Sequence, residues 1–256
     1  MTSGTLQGAL LAAGRGDRLR GSVGGIPKPL VTVAGEPLLI RQARLMSELG
    51  AAPIYAVVNS ETAKLIAENR LTLPAGLELL VRDTPTSMES LFALGERLEP
   101  GRFFMATVDA VAPFGDLRGF LSRAAARMEA EPGIGGVLGV VRWRGDARPL
   151  FARTTPEGLI KELGEAAADL VTAGFYLLST RIFVHVDEAR RRRLDSLRRF
   201  LGLLLEAGVR MAADELREVI DVDEAKDLEA ASLLAGRDRF RREAGARTGS
   251  SETGRQ

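Results

Sequence analysis

Leu10-Leu11-Ala12-Ala13-Gly14-Arg15-Gly16-Asp17-Arg18-Leu19, followed after a short spacer by Pro27-Lys28-Pro29-Leu30, is the stretch on which the reading of this chain turns. The apolar run over residues 9–13 reads as a short strand that delivers the chain into a glycine-bearing loop. Glycines there let backbone N–H groups turn toward an anion, because no Cβ obstructs the approach. Arg15, Arg18 and Arg20 bring cationic charge to the same loop. Lys28 is pinned between two prolines of fixed φ, so its side chain has less freedom to lose on meeting a phosphate. The chemistry this combination suits is the grip on a triphosphate.

Two other glycine loops can be tested against it, and both fail. A dinucleotide fingerprint needs a third glycine where Leu19 stands, which disfavours an oxidoreductase that uses a dinucleotide. A P-loop needs Gly-Lys-Ser/Thr, and the corresponding spacing reaches Gly21-Ser22-Val23. Outward from the loop, apolar segments alternate with helical patterns. Strand-like runs at 30–33, 54–58, 77–81, 103–108, 136–141 and 173–178 are interleaved with helical patterns at 38–49, 61–70, 86–98, 117–130 and 187–207. A last helix is expected near 224–235. Residues 142–163 read as irregular, with a turn at Thr155-Pro156-Glu157-Gly158. Such alternation predicts an α/β fold, Rossmann-like and doubly wound, with a mostly parallel (mixed) sheet and helices on both faces. One domain over 1–235 is expected. Residues 236–256 lose apolar periodicity and are expected to be a disordered tail.

Two aspartates complete the constellation. Asp109 follows the apolar run Phe103–Val108, and Asp221 follows Val219-Ile220; a carboxylate at the carboxyl end of a parallel strand lies where open α/β sheets bind ligands. If the sheet brings both to the Gly14 loop, they suit Mg²⁺, which takes one or two carboxylates plus substrate phosphates. Asp223 is the reserve candidate, since alternate strand positions share a face. Helix capping or turn formation is the other role such aspartates fill.

Residues 10–30 resemble the signature of nucleotidyltransferases that join an NTP to a sugar 1-phosphate or a similar phosphorylated acceptor, a family that includes the MobA-like NTP transferases. That signature reads Leu-Ala-Ala-Gly-x-Gly-x-Arg-Leu, a spacer, then Pro-Lys-Pro-Leu. The resemblance implies a GT-A-like nucleotidyltransferase fold and an Mg²⁺-dependent transfer of NMP that releases pyrophosphate. It further implies Arg18, Lys28 and Asp109 as catalytic residues and Asp109 and Asp221 as metal ligands. Leu11, Ala12, Ala13, Gly14, Gly16, Arg18 and Ser87 are implied as nucleotide contacts. On the acceptor side the chain departs from the family. Pro85-Thr86-Ser87-Met88-Glu89-Ser90 stands where a Gly-Thr-type loop is usual, and it also has the spacing of a helix capping box. Thr172-Ala173-Gly174 replaces Asn-Ala-Gly, and Lys161-Glu162 matches a family pair only loosely. A sugar 1-phosphate is the favoured acceptor; a molybdopterin-cofactor or phospho-alcohol/phosphonate nucleotidyltransferase, and a regulatory subunit that binds nucleotide without catalysis, are the alternatives.

Bulk properties are ordinary for a globular protein. The chain has 256 residues, 45% hydrophobic and 27% charged, with a formal charge of +1, which gives no reason to expect a nucleic-acid or membrane partner. There is no cysteine, so disulfides and thiolate metal sites are excluded. The first residues lack the pattern of a signal peptide, and a cytoplasmic location is expected. His185, Trp143 and the run from Arg190 to Arg193 read as packed or solvated residues rather than as chemistry.

Overall fold

A computed structural model describes residues 5–14, 16–145 and 149–249, with backbone alone at residue 17 and over 240–249. Strand β1 (Gln7–Ala12) is buried along its whole length and leads through the glycine loop into one turn of helix, α1 (Asp17–Arg20). A 3-10 turn at Lys28–Leu30 precedes the short strands β2 (Thr32–Val33) and β3 (Glu36–Pro37) and helix α2 (Leu38–Glu48). Strand–helix units follow: β4 (Ile54–Val58) with α3 (Ser60–Glu68), and β5 (Leu77–Val81) with α4 (Ser87–Gly95). Next come β6 (Arg102–Thr107), β7 (Ala110–Val111) and α5 (Phe114–Ala130). The chain continues as β8 (Ile134–Arg142), β9 (Phe151–Thr154), β10 (Ile160–Gly164) and β11 (Leu170–Ser179). It ends with α6 (Val186–Arg191), α7 (Leu197–Glu206), β12 (Arg210–Glu215), β13 (Ile220–Asp221) and α8 (Ala225–Gly249).

Nine strands form one sheet, in the order β10-β9-β11-β6-β1-β4-β5, with β8 joining β11 to β12. Its centre is parallel, β6 and β4 flanking β1 and β5 following β4, while β11 runs antiparallel to β6, β8 and β9. This is the expected mixed, doubly wound α/β sheet. Side chains of β1 alternate between two cores, as a central strand covered on both faces must. Leu10 and Ala12 pack with Leu39 of α2 and Phe120 of α5, whereas Ala9 and Leu11 pack with Leu91 of α4 and Phe200 of α7.

The parallel strands share one carboxyl edge, and their loops are tied together there. The Val108 N–H donates to the Leu11 carbonyl at 3.0 Å. Asn59 Nδ2 donates to the Ala13 carbonyl at 3.3 Å, while its Oδ1 caps α3. Ser60 N–H donates to Asp83 Oδ1 at 2.9 Å, which couples the β4 and β5 loops.

Four expectations are corrected. The expected strand over 30–33 gives way to the Lys28–Leu30 turn and a two-residue hairpin strand, because Ala34 and Gly35 both take positive φ. The helix expected over 187–207 is broken between α6 and α7, where Arg193 adopts φ 53 and the Ser196 hydroxyl accepts from the Arg199 N–H to cap α7. Residues 142–163 contain the β9–β10 hairpin, and strand β12 was not foreseen because Met211, Ala212 and Ala213 carry no β-branched signal. Helix α8 runs to Gly249, well past residue 235. Its second half is rich in arginine, a good helix former that needs no apolar stripe. Of the expected tail, residues 250–256 lie outside the described residues.

Candidate active site

The glycine loop opens on side chains that face inward. Leu11, Ala12 and Ala13 are buried, so what they can offer a ligand is main chain. The two glycines that follow differ. A Cβ at Gly14 would meet nothing within 4 Å, whereas one at Gly16 would stand 2.7 Å from Lys28 Cβ. Gly16 also holds φ 62, the left-handed conformation that glycine takes without penalty, as it caps α1. The loop therefore lies directly against Lys28. Arg15 falls outside the described residues.

Lys28 is 8% exposed. Its turn is closed by the Leu30 N–H on the Pro27 carbonyl at 2.9 Å and the Val31 N–H on the Lys28 carbonyl at 3.1 Å. Its Nζ donates to Asp109 Oδ2 and to Asp223 Oδ1, each at 2.7 Å. The other oxygen of Asp223 accepts from Arg18 at 2.8 Å. Two cations and two carboxylates thus form one chain of contacts, assembled from residues far apart in sequence. Burial pulls the Lys28 ammonium down, but the charge of Asp109 and the hydrogen bonds to both carboxylates outweigh it and hold it above its ordinary range. Burial pushes Asp223 up, but Lys28 and Arg18 outweigh it, and the carboxyl lies below the usual carboxylate range. Both groups are charged at neutral pH.

Asp109 sits in the turn between β6 and β7. Its carbonyl accepts from the Val222 N–H at 3.0 Å, and β13 pairs with β7 so that Asp221 stands opposite Ala110. Val222 is fully buried and anchors this crossing. Asp227 closes this corner: its carboxylate accepts the N–H groups of Asp223 at 3.1 Å and Glu224 at 2.8 Å. That fixes the turn from β13 into α8 and aims Asp223 at Lys28. Asp221, one of the two expected ligands, is exposed on β13; the reserve candidate Asp223 is the residue joined to Lys28 and Arg18.

Gly174 is the second position where only glycine fits. It holds φ 72, and a Cβ would stand 2.5 Å from Thr107 Oγ1 and 3.0 Å from Ala110 Cβ, so β11 presses directly on the Asp109 turn. Elsewhere the side chains serve the fold. Thr86 caps α4 by accepting from Glu89 N–H at 3.1 Å, and the Ser87 hydroxyl accepts from Leu197 N–H at 3.2 Å, tying α4 to α7. Because β5 is parallel to β1, that segment still leaves the sheet at the loop's edge. Glu162 of the loosely matching Lys161-Glu162 pair bonds Arg153, while Trp143 packs edge-on against Phe151 and Arg190 bridges to Glu89, as expected of packed or solvated residues.

This sheet, with its glycine loop and the Lys28-linked aspartates at one edge, has the GT-A-like nucleotidyltransferase fold. The fold matches that of the inositol-1-phosphate CTP transferase from T. maritima, with TM-score 0.74 and 17% identity over 92% of this chain and 97% of that one. It also matches the CTP:phosphocholine cytidylyltransferase from Streptococcus pneumoniae, with TM-score 0.71 and 16% identity over 90% and 99%. The MobA-like NTP transferase domain matches residues 8–181, and the chain belongs to that family. Mannose-1-phosphate guanyltransferase of Gibberella zeae is 26% identical over 197 residues, 71% of this chain and 52% of that protein. The bifunctional protein GlmU of Rhodopseudomonas palustris is 27% identical over 256 residues, 92% of this chain and 52% of that protein. The chain spans about half the length of these curated relatives. Among the described residues no helix is long and apolar enough to cross a membrane.

Proposed function

We propose that this chain is a nucleotidyltransferase that moves NMP from an NTP to a phosphorylated small-molecule acceptor, a sugar 1-phosphate being the favoured class, and releases pyrophosphate. The observation that carries the reading is Lys28 Nζ, 2.7 Å from both Asp109 and Asp223 and backed by the Gly16 loop. Support comes from the family and from relatives whose names specify transfer to phosphate monoesters.

In the reaction, an acceptor phosphate oxygen bonds to the α-phosphorus of the NTP while the bond from that phosphorus to the β-phosphate oxygen breaks. A phosphate monoester has a second pKa of about 6, so it arrives ionised and needs no general base. A chain with one histidine and no cysteine can therefore perform the step. What remains is to hold two anions together and stabilise the charge that builds on the α-phosphate. Main-chain N–H groups at Ala13, Gly14 and Gly16 would cradle the phosphates. Lys28 and Arg18 would turn from the carboxylates to the triphosphate. Asp109 and Asp223 present hard oxygen donors on either side of one ammonium, a donor set that fits Mg²⁺. When bound, Mg²⁺ supplies charge neutralisation across the reacting phosphates. Asp221 is the neighbouring alternative ligand.

Thermal shift with each NTP in the presence of Mg²⁺, followed by pyrophosphate release with a panel of phosphate monoesters, tests this. A ligand at 100 times its Kd stabilises the folded state by about 2.7 kcal/mol, so one NTP should raise the midpoint clearly. Lys28→Met should remove that rise. No NTP-dependent shift and no pyrophosphate with any acceptor would overturn the assignment, and a shift without pyrophosphate would make the chain a nucleotide-binding regulator.

A further inference from the structure

Helix α2 buries a stripe in which one member is polar. Leu39, Gln42 and Met46 follow helical spacing, continued by half-buried Leu49 just past the helix, and Gln42 is 1% exposed. Methionine would fill the same space without an amide to satisfy, and a buried amide is tolerated only when hydrogen-bonded. Its partners are specific. Gln42 Nε2 donates to the Ala110 carbonyl and, at 3.5 Å, to the Thr107 carbonyl. These are the residues one after and two before Asp109. The neighbouring Arg41, also buried, donates to the Ala112 carbonyl at 3.3 Å.

The turn that presents Asp109 is thus held from several directions. Val108 N–H is tied to Leu11, the Asp109 carbonyl is tied to Val222, and Gly174 closes one side. Gln42 spans the carbonyls on both sides of the aspartate. With the turn loosened, the Asp109 carboxylate would no longer be fixed where Lys28 meets it.

We propose that Gln42 is a positioning residue: its buried amide clamps the Thr107–Ala110 turn and thereby sets the Asp109 carboxylate for catalysis. The functional half of this inference rests on the nucleotidyltransferase reading; the structural half does not. Supporting groups one step removed from a reacting centre typically alter metal affinity or activity by about 10–100-fold when removed, and an effect of that order is expected here.

The test compares Gln42→Met, which keeps length and apolar fit, with Leu39→Met on the same stripe. Amide hydrogen exchange is followed over 107–112 and at Val222, and kcat and KM are measured with the nucleotide and acceptor that the screen identifies. Gln42→Met should speed exchange in that turn by roughly tenfold or more relative to the rest of the sheet, because local opening becomes easier. It should also lower kcat by about 10–100-fold with acceptor KM little changed. Leu39→Met should do neither. In an Asp109→Asn background, adding Gln42→Met should cost no further activity, since both act through one carboxylate. Wild-type exchange in the Gln42→Met turn overturns the clamp whether or not the enzyme reading stands. Accelerated exchange with wild-type kcat overturns the positioning role. A wild-type chain inactive with every NTP overturns the enzyme reading, and the exchange measurement then decides the clamp alone.

Discussion

Gly14 and Gly16 lie two residues apart in one loop, yet the structure assigns their replacement by alanine opposite consequences. At Gly16 the backbone holds φ 62, which costs a residue with a Cβ about 1–2 kcal/mol. The new Cβ would also stand 2.7 Å from Lys28 Cβ, against an ordinary carbon–carbon separation of roughly 3.5–4 Å. Lys28 Cβ cannot swing aside like a side-chain tip, since Pro27 and Pro29 stiffen the turn that carries it. Overpacking of this kind costs about 1–3 kcal/mol. Together these give about 2–5 kcal/mol, and at about 2–4 °C per kcal/mol for a chain near this size the midpoint should fall by roughly 4–20 °C. Gly14 is exposed and outside the left-handed region, and its Cβ would meet open space, so Gly14→Ala should stay within about 0.5 kcal/mol of wild type. That same open space is where the proposed triphosphate would lie, so Gly14→Ala should weaken NTP binding with stability intact. Urea and thermal denaturation measure the first effect, and calorimetric titration with NTP the second. A Gly16→Ala midpoint equal to wild type would refute the close-approach argument. Equal destabilisation by both variants would refute the contrast.

Asp109→Asn and Asp223→Asn should each reduce turnover by about a hundredfold or more while the fold persists, and Asp221→Asn should retain most of it; steady-state rates and circular dichroism of the three variants check this, and a selective loss in Asp221→Asn would return the second ligand position to β13. The alkaline limit of stability should carry a contribution from Tyr176, whose phenol is pushed up by burial despite its hydrogen bond with Thr172. Its folded pKa lies above the unfolded value near ~10, so this contribution is whole below about pH 10 and is lost as the pH rises, when only the unfolded phenol ionises. In a Tyr55→Phe background, which leaves one tyrosine, the phenolate absorbance step should coincide with unfolding. A step that precedes unfolding would show that Tyr176 is reachable by solvent.

Much of the site was legible because its first part is local. The Gly14–Lys28 segment is a contiguous signature, and proline-flanked Lys28 with glycine at 16 announces a close packing that the structure displays. Asp109 was legible because an apolar run led straight into a carboxylate. Which of Asp221 and Asp223 would meet Lys28 was not, since both share a parity along the strand. It is decided by the turn that Asp227 closes after β13, a hydrogen bond between residues four apart that no apolar pattern encodes. Gln42 escaped notice for a related reason: in a helical stripe a buried glutamine looks like an ordinary interruption, and its meaning depends on which carbonyls lie across the gap. The fold misses follow the same rule. Strand β12, with small apolar residues and no β-branching, is made by its parallel pairing with β8, and the break at Arg193 by a left-handed residue and a serine cap.

The architecture also explains why the site needs both ends of the chain. Within the parallel sheet, β1 and β6 are direct neighbours, so the glycine loop and Asp109 meet wherever the central strands form. Asp223 is delivered differently. It lies in the turn just after β13, which among the described residues pairs with the two residues of β7, outside the main sheet. Two residue pairs cannot hold a strand in water by themselves, since even a full hairpin is marginal there. The crossing is held by the fully buried Val222 and by α8, whose Ala231 and Leu234 enter the same core as Val111 and Ala112. Opening of α8 would therefore release Asp223, and with it the contact to Arg18, while leaving Lys28 on Asp109. The glycine loop and Asp109 follow β1 and β6, two buried central strands of the main sheet, whereas the second carboxylate follows a two-residue strand outside it, so local opening of the site should begin at the 222–227 turn.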